Sequence, residues 1–289
     1  MELVAEIRPE LHRYCARMTG SVFDGEDVLH DTFAKALYAL SQMDELPPLR
    51  PWLFRIAHNT AMDHLRRYEH RHADKEFDLE TVPDGATSEA DDDVRVEAAL
   101  EVFSALPPVQ RSALALKDVL GLSLEETAAT MGVSVAAVKG ALVRARENVR
   151  ATALREQPRP VQDLQRLRLY AALFNARDWD GLRALFGEET RLDLVSRASR
   201  HGPAAAQYWT RYEASAPRED LRADVGWVGG VPAVRIVRSA ESGPMYFIRL
   251  EWHGDRVARI RDFRYVPYIA SEACFTAAGA DTQADMFSG

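Results

Sequence analysis

The run SLEETAATMGVSVAAVKGALVRARENVR, residues 123–150, decides how the rest of the chain is read. Ser123 and Glu126 stand in the S-x-x-E spacing, where each side chain caps the other's backbone N–H, so a helix begins at 124. Ala128, Gly132 and Val138 come next, at spacings of four and six. Two short helices that cross closely need a small residue in the first, glycine at the turn and an aliphatic residue in the second. Met131, Val133 and Ala141 are expected to fill the remaining interior, and Ser134 to cap the second helix. The spacing predicts a helix-turn-helix that offers Ser134, Ala136, Ala137, Lys139, Gly140 and Arg144 to a major groove. Lys139, Arg144, Arg146, Arg150 and Arg155 against Glu147 form a local phosphate-binding stretch. With no Asn or Gln before Asn148, readout is expected through phosphates and duplex shape. A purely structural helical hairpin fits the same spacing, so the remainder of the chain must choose.

Upstream, LPPVQRSALALKDVLG (106–121) predicts a helix with Gly121 as its C-cap. In EDVLHDTFAKALYAL (26–40), Val28, Leu29, Phe33, Ala36, Leu37 and Leu40 fall at helical spacing. The proline-rich loop MDELPPLRP (43–51) leads into a helix with Pro51 near its start. The apolar stripe of that helix is Leu53, Ile56, Ala57, Thr60, Ala61 and Leu65. Its other face carries Arg55, Asn59, Asp63, Arg66 and Arg67, with Arg71 beyond. Trp52 and Phe54 suit stacking on unpaired bases while the arginines track phosphates. Alone, the helix reads more readily as amphipathic with a solvated basic face.

Composition sets the frame. At roughly 150 residues per domain, 289 residues suggest about two domains or three small ones. The net charge of −8, from 36 bases and 44 acids, argues against a bulk nucleic-acid binder. No stretch approaches the ~18 consecutive apolar residues of a membrane span, and the mixed-charge N-terminus is no secretory signal. Cys15 and Cys274 form neither a disulfide framework nor a metal motif. A cytoplasmic protein without membrane, metal or cofactor is expected. Residues 74–93 hold nine acids against Lys75 and read as a linker. A second break falls at 156–160, EQPRP. The expected organisation is 1–73, linker, 94–155, short linker, 161–267, then a polar tail over 268–289.

The third block changes period. A helix bearing Leu164, Leu167, Tyr170, Ala171 and Phe174 precedes a second, DWDGLRALF, and then strand-like runs. Residues 252–256 read as a hairpin turn. Helices succeeded by a meander suggest an α+β domain. Alternation places Trp227 with Leu221, Ala223 and Val225; Tyr246 and Trp252 with Ile248 and Leu250; and Asp262 and Arg264 with Ile260. Asp262 among apolar neighbours reads as an acid/base or, preferred here, as an ion-pair partner of Arg235 or Arg264. Seventeen arginines against seventeen acids over 161–289 argue against general nucleic-acid binding by this block.

The 26–40 helix, PWLFRIAHNTAMDHLRR (51–67), the acidic linker and residues 105–150 together resemble, in order, a bacterial RNA polymerase sigma factor of the extracytoplasmic-function (ECF) type. The resemblance implies two all-helical domains, sigma regions 2 and 4, and promoter-specific initiation. It implies that the 26–40 helix docks on the β′ clamp, with Glu26, Asp27 and Asp31 at its acidic positions. The 43–51 loop and the helix bearing Trp52, Arg55, Asn59, Asp63, Arg66 and Arg67 would melt and read the −10 element. Ser134, Ala136, Ala137, Lys139, Gly140, Arg144 and Arg146 would read the −35 element, while region 4 contacts the β-flap. The loop lacks the polar residues often found there, so a −10 base preference does not carry over. The third block resembles the SnoaL-like branch of the cone-shaped α+β fold of nuclear transport factor two, some members of which are enzymes. Trp227, Tyr246, Trp252, Asp262 and Arg264 would line its cone, where a small ligand would regulate activity; an anti-sigma protein is a further expected partner. The competing readings are a polymerase-independent regulator and an enzyme acting on a small hydrophobic substrate.

Overall fold

A computed structural model describes residues 2–71, 100–152, 164–215, 220–238 and 243–278. The chain divides into two compact units, 1–158 and 159–289. The expected linkers at 74–93 and 156–160 lie outside the described residues.

The first unit is helical: α1 (Glu2–Thr19), α2 (Val22–Leu40), α3 (Leu49–Arg71), α4 (Leu100–Ser104), α5 (Pro108–Leu114), α6 (Leu124–Met131) and α7 (Val135–Thr152). Ser21 caps α2 by accepting from Asp24 N–H. Pro51 falls inside the first turn of α3, where its missing N–H costs no helical hydrogen bond. The expected single helix over 106–121 is α5 continued by a π-helical turn, Ala115–Val119. The Leu120 N–H reaches back to Ala115 O and the Leu122 N–H to Leu116 O. Periodicity at 3.6 residues cannot signal such a turn, because the turn inserts one residue and shifts the phase of every later position in the helix.

The two helical blocks, read from sequence as separate domains, share one core. It runs from Leu11, Tyr14 and Met18 through Leu53, Phe54 and Ala57 to Phe103, Leu114, Val138 and Ala145, all buried. The Arg111 guanidinium, itself buried, donates to the carbonyls of Met18, Ser104 and Leu106, joining the end of α1 to the start of α5. Tyr14, His58 and Ser112, from α1, α3 and α5, form a closed hydrogen-bonded triangle with sides of 2.9, 2.9 and 3.0 Å.

The second unit is α+β. Helices α8 (Gln165–Asn175) and α9 (Trp179–Ala184) precede β1 (Phe186–Leu194) and β2 (Ala198–His201). Helices α10 (Pro203–Ala206) and α11 (Tyr208–Ser215) lead to β3 (Leu221–Val228), β4 (Val231–Arg238), β5 (Tyr246–His253) and β6 (Arg256–Asp262). A short α12 (Tyr268–Glu272) and β7 (Phe275–Ala277) close the described chain. The sheet order is β2-β1-β6-β5-β4-β3-β7. Strands β3 to β6 are the expected meander, and β5 and β6 turn at the predicted hairpin. Two features depart from expectation. Strand β1 joins the far edge parallel to β6, with α10 and α11 lying between it and the meander in sequence. The expected tail at 268–289 includes α12 and β7, which pairs antiparallel with β3. Gly226 makes that pairing close: a Cβ there would sit 2.2 Å from Thr276 O. Trp209, fully buried, gathers Tyr170, Phe174, Trp179, Phe186 and Tyr208 around it under the sheet.

Candidate nucleic-acid interface

The helix-turn-helix forms as its residues dictate. Ser123 Oγ accepts from Glu126 N–H while the Glu126 carboxylate accepts from Ser123 N–H. These bonds hold the Glu126 carboxyl below its usual range. Gly132 takes φ +69°, the left-handed conformation that ends α6 cheaply only for glycine. Ala128 and Val138 are buried at the crossing, with Met131 and Ala141 beside them. Val133 differs from expectation. It comes just after the left-handed turn and points outward, 37% exposed.

On α7 the residues divide by period. Val138, Ala141, Leu142, Ala145 and Val149 face the core. Ser134, Ala136 and Lys139 are exposed, and Ala137, Gly140 and Arg144 are half-buried. Ser134 Oγ accepts from Ala137 N–H, so this residue caps the helix. A Cβ at Gly140 would meet no neighbour closer than Arg144 Nη1 at 3.6 Å, so the fold itself does not require glycine there. Arg146 stands apart from the exposed set: its guanidinium makes a two-pronged bond to Asp118, 2.9 Å on each prong.

Helix α3 presents Arg55, Asn59, Asp63, Arg66 and Arg67 outward, while Leu53, Ala57, Thr60 and Ala61 are buried. Trp52 is half-buried against the core. Phe54, read as a stacking candidate, is fully buried with Tyr14 edge-on to it and is inaccessible to a base. Asp63 is paired with Lys35 at 3.4 Å and Arg66 at 3.6 Å. Asp31, Lys35, Asp63, Arg66 and Arg67 line one cleft of about 590 Å³ between α2 and α3.

The acidic trio of α2 does not act as one surface. Asp31 is exposed and Asp27 half-buried. Glu26 is buried and ion-paired with Arg8, which removes it from any docking face. Sequence reasoning missed what α2 does expose: Leu37 at 69% and Tyr38 at 73%, with Leu46 at 78% in the loop beyond. An apolar groove of about 700 Å³ runs beside them, lined by Phe33, Leu40, Leu49 and Trp52 among others. Helical periodicity assigns Leu37 to the core, and its exposure becomes visible only once α1 and α3 have taken up the other face.

In the second unit, Tyr208 Oη donates to Asp262 Oδ2 at 2.5 Å, Arg264 Nε lies 3.1 Å from the same oxygen, and Arg264 N–H donates to Oδ1. Arg264 Nη2 donates to Tyr246 Oη at 2.6 Å. The ion-pair reading of Asp262 is therefore the observed one, with Arg264; Arg235 lies elsewhere, on Asp224. Burial, then the Asp262 charge, push the Tyr170 and Tyr208 hydroxyls well above the ordinary phenol range. Register places Trp227 and Trp252 toward the other end of the same sheet face. Among the described residues no group of His, Cys, Asp or Glu is arranged to hold a metal ion. No single described helix is long and apolar enough to cross a membrane.

The family models for sigma-70 region 2 and sigma-70 region 4 match residues 3–71 and 97–149. The ECF RNA polymerase sigma factor SigD of Mycobacterium bovis is 32% identical over 165 residues, covering 52% of this chain and 74% of SigD. The chain belongs to the ECF sigma factor family. Region 2 is thus α1 to α3, and the helix-turn-helix lies in region 4. SigG of Mycobacterium tuberculosis is 34% identical over 215 residues, covering 63% of this chain and 57% of SigG. The chain so spans little more than half the length of that relative. The crystal structure of M. tuberculosis SigJ aligns with 90% of this chain and 95% of its own, at 17% identity and a TM-score of 0.37.

Proposed function

We propose that this chain is a promoter-specificity subunit of RNA polymerase in the cytoplasm. The observation that carries the reading is the pairing, in one helical unit, of a capped helix-turn-helix with a second helix, α3, that presents a basic polar face. A DNA-binding regulator without polymerase needs only the first. In this reading Arg55, Asn59, Asp63, Arg66 and Arg67 meet the −10 strand, with Trp52 beside an unstacked base. Ser134, Ala136, Ala137, Lys139, Gly140 and Arg144 meet the −35 duplex. The polymerase clamp is met by Asp27, Asp31 and the exposed apolar end of α2, and the β-flap by region 4. The acidic 74–93 linker joins the two halves.

The shared core supports one further step. Helix α3 packs on α6, and Trp52, Phe54, Arg55, Leu122, Glu126 and Thr130 line a single groove between them. Elements centred at −35 and −10 lie about 25 base pairs apart, more than two duplex turns or roughly 80 Å. Readers in van der Waals contact cannot span that distance. Promoter engagement therefore requires regions 2 and 4 to part.

The second unit, in this reading, is a regulatory module and not an enzyme. Asp262 already accepts from Tyr208 and from the Arg264 backbone N–H and is ion-paired with the Arg264 side chain, so both of its oxygens are engaged before any substrate arrives. The Tyr170 hydroxyl and the Trp227 and Trp252 indole N–H groups are buried without a partner among the described residues. These unused groups support Trp227, Tyr246, Trp252, Asp262 and Arg264 as the lining of a small-ligand pocket. An anti-sigma protein is a second proposed regulator.

Transcription of fragmented genomic DNA by bacterial core polymerase, with start sites mapped, tests the function. Defined starts that appear only when the chain is added are expected. Duplex binding without any start would favour the polymerase-independent regulator.

A further inference from the structure

Arg146 lies at the edge of the polar face that α7 exposes. At 100° per residue it sits on the flank of the helix, between the buried row of Leu142, Ala145 and Val149 and the exposed Lys139. Its guanidinium fork meets both oxygens of Asp118, whose side chain is only 8% exposed. Asp118 belongs to the π-turn Ala115–Val119, on the path from α5 to the helix-turn-helix. A π-turn costs helical hydrogen-bond geometry and survives where something depends on the residue it displaces. Here it turns a carboxylate toward α7 while Leu116 stays in the core. A second cross-link, from Asn148 Nδ2 to Gln110 Oε1 at 2.9 Å, ties the same stretch of α7 to α5.

We infer that Arg146 is a positioning residue for −35 readout: through Asp118 it fixes the pitch of α7, and it does not itself contact a phosphate. This rests on the proposed role of α7 as the −35 reader. The chemistry separates the alternatives. A phosphate contact needs only a positive charge, which Lys supplies. A two-pronged grip on a carboxylate needs the planar fork of Arg. A phosphate contact also releases counterions, so its loss flattens the dependence of binding on salt by about one power.

The test uses full-length chain with core polymerase on a duplex carrying the −35 segment upstream of a mapped start, against the same duplex with that segment scrambled. Arg146→Ala, Arg146→Lys and Asp118→Ala are each expected to lower discrimination between the two duplexes roughly tenfold, about the worth of one base contact. None should change the salt slope. Lys139→Ala, by contrast, should flatten the slope and leave discrimination in place. The charge swap Asp118→Arg with Arg146→Asp restores the pair and should recover part of the lost discrimination. Unfolding midpoints accompany each variant, since a purely structural pair would move those midpoints and not the discrimination ratio of the folded protein. The proposal is overturned if Arg146→Ala flattens the salt slope while Arg146→Lys behaves as wild type, or if the discrimination ratio stays put in every variant. Absence of discrimination by the wild type would instead overturn the −35 reading, and the proposal with it.

Discussion

The buried polar clusters of the two units are built for different ends. In the helical unit, Tyr14, His58 and Ser112 meet across three helices of regions 2 and 4, and no charge is involved. In the second unit, Tyr208, Asp262, Arg264 and Tyr246 gather on one sheet and its covering helix around a buried ion pair. A neutral triangle can be opened by exchanging three modest hydrogen bonds for water, each worth about 1 kcal/mol net. A buried ion pair cannot be separated so cheaply, because removing one partner leaves a desolvated charge at a cost of several kcal/mol. The triangle in the helical unit is thus cheaper to open than the ion pair of the sheet unit, although the Arg111 bond to Met18 O and the shared apolar core must open with it.

Substitution of Asp262 should break the second cluster outright. Asp262→Ala removes the carboxylate that faces the Arg264 guanidinium and accepts from the Tyr208 hydroxyl. A loss of about 3–5 kcal/mol from the second unit is expected in chemical denaturation of the full chain. Asp262→Asn should cost less, since it keeps an acceptor for Tyr208. Equal and small effects would mean that the ion pair is no costlier to open than the triangle.

Acid should act on the other unit. Burial, with Arg66 adding to it, lowers the His58 imidazole to about 4. Between that value and the ordinary histidine range near 6.5 the unfolded chain binds a proton that the folded unit refuses, so stability rises with pH there. The contribution is complete above about pH 6.5 and is lost as pH falls toward 4, roughly 3 kcal/mol in all. Thermal midpoints of wild type and His58→Gln, tracked from pH 7 to 4.5, measure it. The variant should show a shallower fall; parallel curves would remove His58 from the triangle.

The smallest effect is local. Ser123→Ala removes half of the capping box and should cost about 1 kcal/mol of the helical unit, without altering the pH response. A coupled change in both would show that the helix-turn-helix and the triangle are one device.

Legibility in the sequence tracks the range of each interaction. The helix-turn-helix was legible, because Ser123, Glu126, Ala128, Gly132 and Val138 act on neighbours within a few residues. The face of α3 was also legible, since its polar and apolar rows repeat at 3.6. The shared core was not: Tyr14, His58 and Ser112 are far apart in sequence, and each has an ordinary local environment. Nor was the burial of Glu26, which depends on Arg8 from another helix. Strand β7 was hidden by its Ala- and Gly-rich surroundings and by a partner, Gly226, some fifty residues earlier. The role of Arg146 was masked by the charge it shares with its neighbours. Asp262 was legible as a candidate for two fates, and only the placement of Arg264 and Tyr208 decided between them.

In the proposed function, regions 2 and 4, joined in one core, must part on the promoter. A fluorophore pair at Tyr68→Cys on α3 and Glu125→Cys on α6, in a Cys274→Ser background, reports their separation directly. High transfer efficiency is expected in the free chain, falling to near zero when core polymerase and a mapped promoter are added together. Efficient transfer that persists in the initiating complex would show that regions 2 and 4 stay joined on the promoter.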